Sequence, residues 1–97
     1  MTTNITKTLQ ERGQRYGVFK RHAEISQQLK EVISGYQTKV LAADQQEALE
    51  MICHKIGRIL NGSPDYADNW IDIAGYAMLV ANRLEEESAT RINGVDS

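Results

Sequence analysis

Apolar positions recur at helical spacing in three stretches, and each stretch ends in residues that stop a helix. Val18, Ile25, Leu29, Val32 and Ile33 predict a helix from about Val18 to Ser34, with Gly35 as its C-terminal stop. Leu49, Ile52, Ile56, Ile59 and Leu60 share one face of a helix predicted from about Ala43 to Leu60, closed by Asn61-Gly62. Ser63-Pro64-Asp65 is a start signal: serine caps, proline suits the first turn and an acid complements the helix dipole. The helix it opens should reach about Glu87. Tyr66, Trp70, Ile73, Ala77, Val80 and Leu84 form its core stripe, with Trp70 the anchor, and Ile71, Gly75, Met78 and Leu79 add a second apolar flank. A helix apolar on two sides is central or lies at an interface. Ahead of these, Thr2, Thr3 and Asn4 precede a short helical stretch, "ITKTLQERGQR", broken around Gly13 and again at Tyr16-Gly17, while "YQTKVLA" reads as a loop. The expectation is an all-α small helical bundle with a short N-terminal helix and three longer ones. Residues 1–87 form a single domain, and "SATRINGVDS" (88–97) is a frayed C-terminal tail.

A chain of 97 residues buries only roughly 60–65% of its unfolded surface, so association into a homo-oligomer is expected. Apolar residues at 41% and charged residues at 25% are a globular mix. The single cysteine, Cys53, excludes a disulfide framework within the chain, and the polar N-terminus carries no apolar run fit for a signal peptide. A cytoplasmic protein is expected. Even "IDIAGYAMLVANRL" is interrupted by Asp72, Asn82 and Arg83, so no membrane span is expected. The net charge of −2 argues against general nucleic-acid binding. Its distribution is uneven: Lys7, Arg12, Arg15, Lys20, Arg21, Lys30 and Lys39 outnumber Glu11, Glu24 and Glu31 in the first forty residues, and acids dominate the remainder.

Glu47, Glu50, His54 and Arg58 lie together on the face of the third helix opposite its apolar stripe. Asp65, Asp68, Asp72 and Tyr76 occupy the polar surface of the fourth. If the Asn61–Asp65 connection folds these helices into an antiparallel hairpin, Glu47, Glu50, Asp68 and Asp72 face one another and suit a hard cation such as Mg²⁺. The competing readings are solvated acids, or a network of glutamates with Lys55 and Arg58. In a crowded acidic site, Asp72→Asn would relieve repulsion and hold or raise stability. "GQRYGVFKR" offers Arg15, Lys20 and Arg21 to a phosphate and Tyr16 to a base, against the alternative of Tyr16 and Phe19 packing between helices. His22 falls on the apolar face of its helix as a hydrogen-bonded core histidine, and His54 sits on the polar stripe. Cys53 reads as a small packed residue. The chain has neither G-x-x-x-x-G-K-[ST] nor G-x-G-x-x-G, so a P-loop or Rossmann site is unsupported.

With "LQERGQRYGVF", "EALEMICHKIGRILNG" and "DYADNWIDIAGYAMLV" in order, the chain resembles a family of short proteins of unknown function from tailed phages and prophages. The resemblance covers roughly residues 8–84 and is specific in "HKIGRILNG" and "DNWIDIAGYA". It implies a phage accessory protein in the infected bacterial host. More distantly the chain is similar to the all-α MazG-type nucleoside triphosphate pyrophosphohydrolases and to phage nucleotide-modification-associated domains. Those families hold Mg²⁺ with E-x-x-E on one helix and E-x-x-D on the next, followed by an apolar run containing tyrosine. Glu47 and Glu50 match the first motif, and Asp72 followed by "IAGYA" matches the end of the second; Asn69 stands in place of the second motif's glutamate, with Asp68 one position earlier. The resemblance implies a Mg²⁺-binding, catalytic role for Glu47, Glu50 and Asp72; the residues themselves offer nucleotide contacts from Arg15, Tyr16, Lys20, Arg21, Lys55, Arg58, Asn69 and Tyr76. The expectation is a protein that binds a nucleotide or nucleotide-derived small molecule, with Mg²⁺-assisted hydrolysis if it is an enzyme. The alternatives are a non-enzymatic protein that sequesters a host nucleotide signal and a helical interaction protein without a ligand.

Overall fold

The structure, a computed structural model, describes residues 5–11 and 17–94, with side chains as far as residue 90. All regular structure among these residues is helical: α1 (residues 5–11), α2 (Phe19–Tyr36), α3 (Ala43–Asn61) and α4 (Ala67–Gly94). α3 packs against α2 on one side and against α4 on the other, while α2 and α4 do not pack against each other. Cross-links fix the directions. Val18 meets Asn61 and His22 meets His54 across the first seam; Lys55 meets Asp72 and Asp44 meets Arg83 across the second, so each seam is antiparallel.

The segments between helices are set by a few local bonds. Gly17 adopts φ +82°, and a Cβ there would collide with the backbone carbonyl of Asn61. The Asn61 amide donates to the Val18 carbonyl at 2.8 Å, tying the start of α2 to the end of α3. α3 opens with the Ala42 N–H donating to the Gln45 side chain at 2.8 Å, half of a capping box. It closes with the Gly62 N–H donating to the Arg58 carbonyl at 2.9 Å.

Expected boundaries shift at the end of α2 and at both ends of α4. α2 runs through Gly35 to Tyr36. α4 starts at Ala67 rather than at Ser63, because the Ser63 hydroxyl accepts from the Asp65 N–H and the Ser63 carbonyl from the Tyr66 N–H, closing a turn ahead of the helix. At its other end α4 continues past Glu87 to Gly94, through much of the segment expected to fray.

The interior inverts the usual sorting of residues. Ala48, Cys53 and Ile59 are the buried apolar residues, whereas His22, Ser26, Lys55 and Asn69 are buried polar ones. Burial alternates along α3 at Cys53, Lys55, Gly57 and Ile59, as expected of a helix covered on two opposite sides. Meanwhile Ile71, Met78 and Leu79 are exposed on α4, and Gly75 between them has open space around it. The expected core stripe of α4 is rotated: Trp70 is 53% exposed and its Nε1 donates to the Pro64 carbonyl at 2.8 Å, while its neighbour Asn69 is buried. Leu84, placed in the same stripe, is also exposed. The physical reason lies in the facing helix, which presents the Lys55 ammonium and so draws in Asn69 and Asp72 at that end of the seam, while Ala77 and Val80 still face α3 farther along.

The molecule is open, with a radius of gyration of 17.7 Å against about 12–13 Å for a compact chain of this length. Trp70→Ala should therefore cost about 1–2 kcal/mol, the worth of one hydrogen bond and a half-covered ring, in urea denaturation. A loss of 3 kcal/mol or more, typical of a buried tryptophan, would refute this placement.

Candidate functional site

Two polar seams flank α3. In the α3–α4 seam, Lys55 is only 8% exposed, and its Nζ lies 2.8 Å from the Asp72 carboxylate, which stays open to solvent. One turn earlier on α4, Asn69 is 1% exposed and its amide nitrogen has no hydrogen-bond partner. Farther along the seam Arg83 grips Asp44 at 2.6 Å and reaches Glu87 at 3.2 Å; its guanidinium holds the Asp44 carboxyl below the ordinary value. Between these polar ends lies an open apolar groove of about 320 Å³ lined by Leu41, Ala48, Leu49, Ile52, Ala77 and Val80.

The α2–α3 seam carries a relay of nitrogens. Lys30 Nζ lies 3.4 Å from His54 Nε2, and His54 Nδ1 lies 3.3 Å from His22 Nε2. An ammonium only donates, so neutral His54 accepts at Nε2, carries its proton on Nδ1 and donates it to His22 Nε2. His22 then carries its proton on Nδ1, which faces the Gly57 backbone, an approach that raises its pKa against the effect of burial. The close approach requires glycine: a Cβ on residue 57 would stand 2.8 Å from that nitrogen. Burial lowers the pKa of both imidazoles; for His22 the neighbouring His54, Arg58 and Lys30 add to the effect, and for His54 Lys30, Arg58 and Lys55 do. Burial also pushes the Cys53 thiol up.

Of the residues singled out from sequence, α3 and α4 bring together Lys55 and Asp72, with Asn69 on the same side of α4 and Tyr76 half-buried one turn beyond Asp72. The four acids do not gather. Glu47 is exposed, Glu50 accepts from the Gln46 side chain at 2.8 Å, Asp68 accepts from the Tyr66 hydroxyl at 2.9 Å, and Asp72 is engaged by Lys55. Among the described residues no three His, Cys, Asp or Glu side chains form a set that could hold a metal ion. The ion pair also reverses the expected effect of Asp72→Asn, because it strands a buried ammonium, at a cost of about 1–3 kcal/mol. Lys20 and Arg21 are exposed at the start of α2, and Arg58 is half-buried beside the histidines. Arg15 and Tyr16 lie outside the described residues. His22 is the hydrogen-bonded core histidine expected. Sequence reasoning missed Ser26 and Lys30; the available signal was their spacing, since His22, Ser26 and Lys30 stand four residues apart on one face of α2.

The histidines set a pH dependence. Their folded pKa values lie below 6.5, so the unfolded chain takes up protons first as pH falls. Stability is fully present above about pH 6.5 and declines below it. The melting temperature should drop between pH 7.5 and pH 5.0, and the drop should shrink in His54→Gln. An equal or higher melting temperature at pH 5.0 would contradict the relay. Asp44 adds a separate loss only as pH falls below the usual carboxylate value of 3.8.

No curated protein and no solved structure matches this chain. A family model described as a domain of unknown function (DUF6378) matches residues 2–84. The match covers the short N-terminal helix and both polar seams, and the chain belongs to this family.

Proposed function

We propose that this protein is a phage accessory protein that binds a phosphorylated nucleotide in the host cytoplasm and works as a homo-oligomer. The observation that carries the reading is the buried Lys55 ammonium, held at 2.8 Å by the accessible Asp72 carboxylate, with the unspent amide of Asn69 one turn away. A charge and an amide buried in a domain with so little apolar core add little stability over apolar contacts, which favours a ligand-binding role for them. Lys55 would take a phosphoryl oxygen in exchange for Asp72, and Asn69 and Tyr76 would meet the polar edge of the nucleotide. Non-catalytic sequestration is the first reading, since the acids stand apart. The alternative is a Mg²⁺-dependent pyrophosphohydrolase, favoured by the E-x-x-E spacing of Glu47 and Glu50.

Association is supported by apolar surface: Ile71, Met78 and Leu79 stand exposed along α4, beyond the groove it forms with α3. Light scattering at micromolar concentration should give a multiple of 10.9 kDa, and a monomer alone would refute assembly.

Calorimetric titration with nucleoside triphosphates, with and without Mg²⁺, tests the ligand. Lys55→Gln should lose at least tenfold in affinity, and Glu85→Gln on the exposed face of α4 should bind as the wild type does. Binding without Mg²⁺ and without pyrophosphate release selects sequestration, whereas Mg²⁺-dependent release selects the hydrolase. No binding by the wild-type chain would refute the reading.

A further inference from the structure

We propose that the α2–α3 seam is an oxyanion site of the phosphate class, centred on the Lys30 ammonium and the His54 imidazole and backed by Ser26 and His22. It is separate from the α3–α4 seam and does not rest on the nucleotide reading. Three observations carry it. Across this seam α2 presents His22, Ser26 and Lys30 at successive four-residue steps, a row of donors where a packed helix ordinarily presents apolar side chains. Hydrogen-bonding capacity in that row is unspent: Ser26, 1% exposed, holds a buried hydroxyl without a partner. The charge is of one sign. Among the described residues Lys30 makes no ion pair with a carboxylate, and its sole polar contact is the long 3.4 Å approach to His54.

The groups facing the two imidazoles settle what the site prefers. From α2 comes Lys30; from α3 come Lys55 and Arg58, with Glu47 as a counter-charge and Glu50 acting on Cys53 rather than on the histidines. Asp72 from α4 is engaged with Lys55. Protonating His54 turns Nε2 from acceptor into donor, so Lys30 and His54 then aim two cationic donors at one point and repel each other. An oxyanion at that point accepts from both, replacing a weak contact with two charge-assisted bonds. Lys30 and His54 are both partly open to solvent, which puts the mouth of the site at their end of the seam. Anion binding therefore takes up a proton, and affinity should rise as pH falls.

The test is calorimetric titration of the full chain with sulfate, whose charge is constant over this range, at fixed ionic strength in chloride. Sulfate should bind at least tenfold more tightly at pH 6.0 than at pH 8.0, and Lys30→Gln should lose at least tenfold at pH 6.0. Equal affinity at the two pH values, or wild-type affinity in Lys30→Gln, overturns the site. Nitrogen NMR of the His54 side chain in the unmutated chain gives a readout independent of any folding defect. Sulfate at pH 6.5 should shift the imidazole toward its protonated form, and an unmoved signal refutes the proposal. Inorganic phosphate and a nucleoside triphosphate then distinguish the sources of the oxyanion: displacement of sulfate by the nucleotide identifies a phosphoryl group, and displacement by inorganic phosphate alone identifies the free ion. Lys55→Gln fails or passes separately, so loss of the nucleotide reading is not loss of this one.

Discussion

The ion pair between Lys55 and Asp72 decides how α4 lies on α3, and much of the remaining architecture depends on it. A lysine directed into a helix seam must find an opposite charge, because an unpaired buried ammonium is far costlier than a misplaced apolar side chain. Asp72 supplies the charge and brings Asn69, one turn before it, into the seam. With those positions turned inward, Trp70 and Ile71 face outward and the indole spends its N–H on the turn at Pro64. Arg83 and Asp44 repeat the arrangement near the far end, so α4 is located by charge at two points with the apolar groove between them.

The opposite seam uses imidazole instead of carboxylate. Its contacts at 3.3 and 3.4 Å are long for hydrogen bonds, and they depend on both rings remaining neutral. Gly57 and Gly17 make the seam possible by different means. One leaves room for the His22 ring, and the other supplies a left-handed backbone where α2 crosses the end of α3. Among the described residues only Ala48, Cys53 and Ile59 are fully buried apolar ones, so the hydrophobic side chains on the outer surfaces constitute a reserve that folding of one chain does not use.

The helical class and the antiparallel order of α3 and α4 were legible from apolar spacing and from the short connection at Asn61–Asp65. The phase of α4 was not. A rule that turns the largest apolar residues inward selected Trp70, and that rule fails when the facing helix presents a lysine. The pairing of Lys55 with Asp72 was foreseeable only as one among several acid-base combinations, since spacing gives the face a residue occupies and not the partner it meets. His22 was recognisable as a core histidine, but its partner His54 lies 32 residues away and on a face that read as solvated. Short-range periodicity carries no information about that meeting, which depends on how α2 is seated.

Because α2 and α4 share α3 but do not touch, the fold consists of two helical hairpins with one helix in common. Either outer helix can separate from α3 while the other stays docked, since no contact joins α2 to α4. Such a molecule has two partial-unfolding routes of different chemical character, one relieved by protonation and the other by salt. In native-state amide exchange the strongest protection would collect in α3, whose exposure requires both departures, and acid would lower the protection of α2 ahead of that of α4.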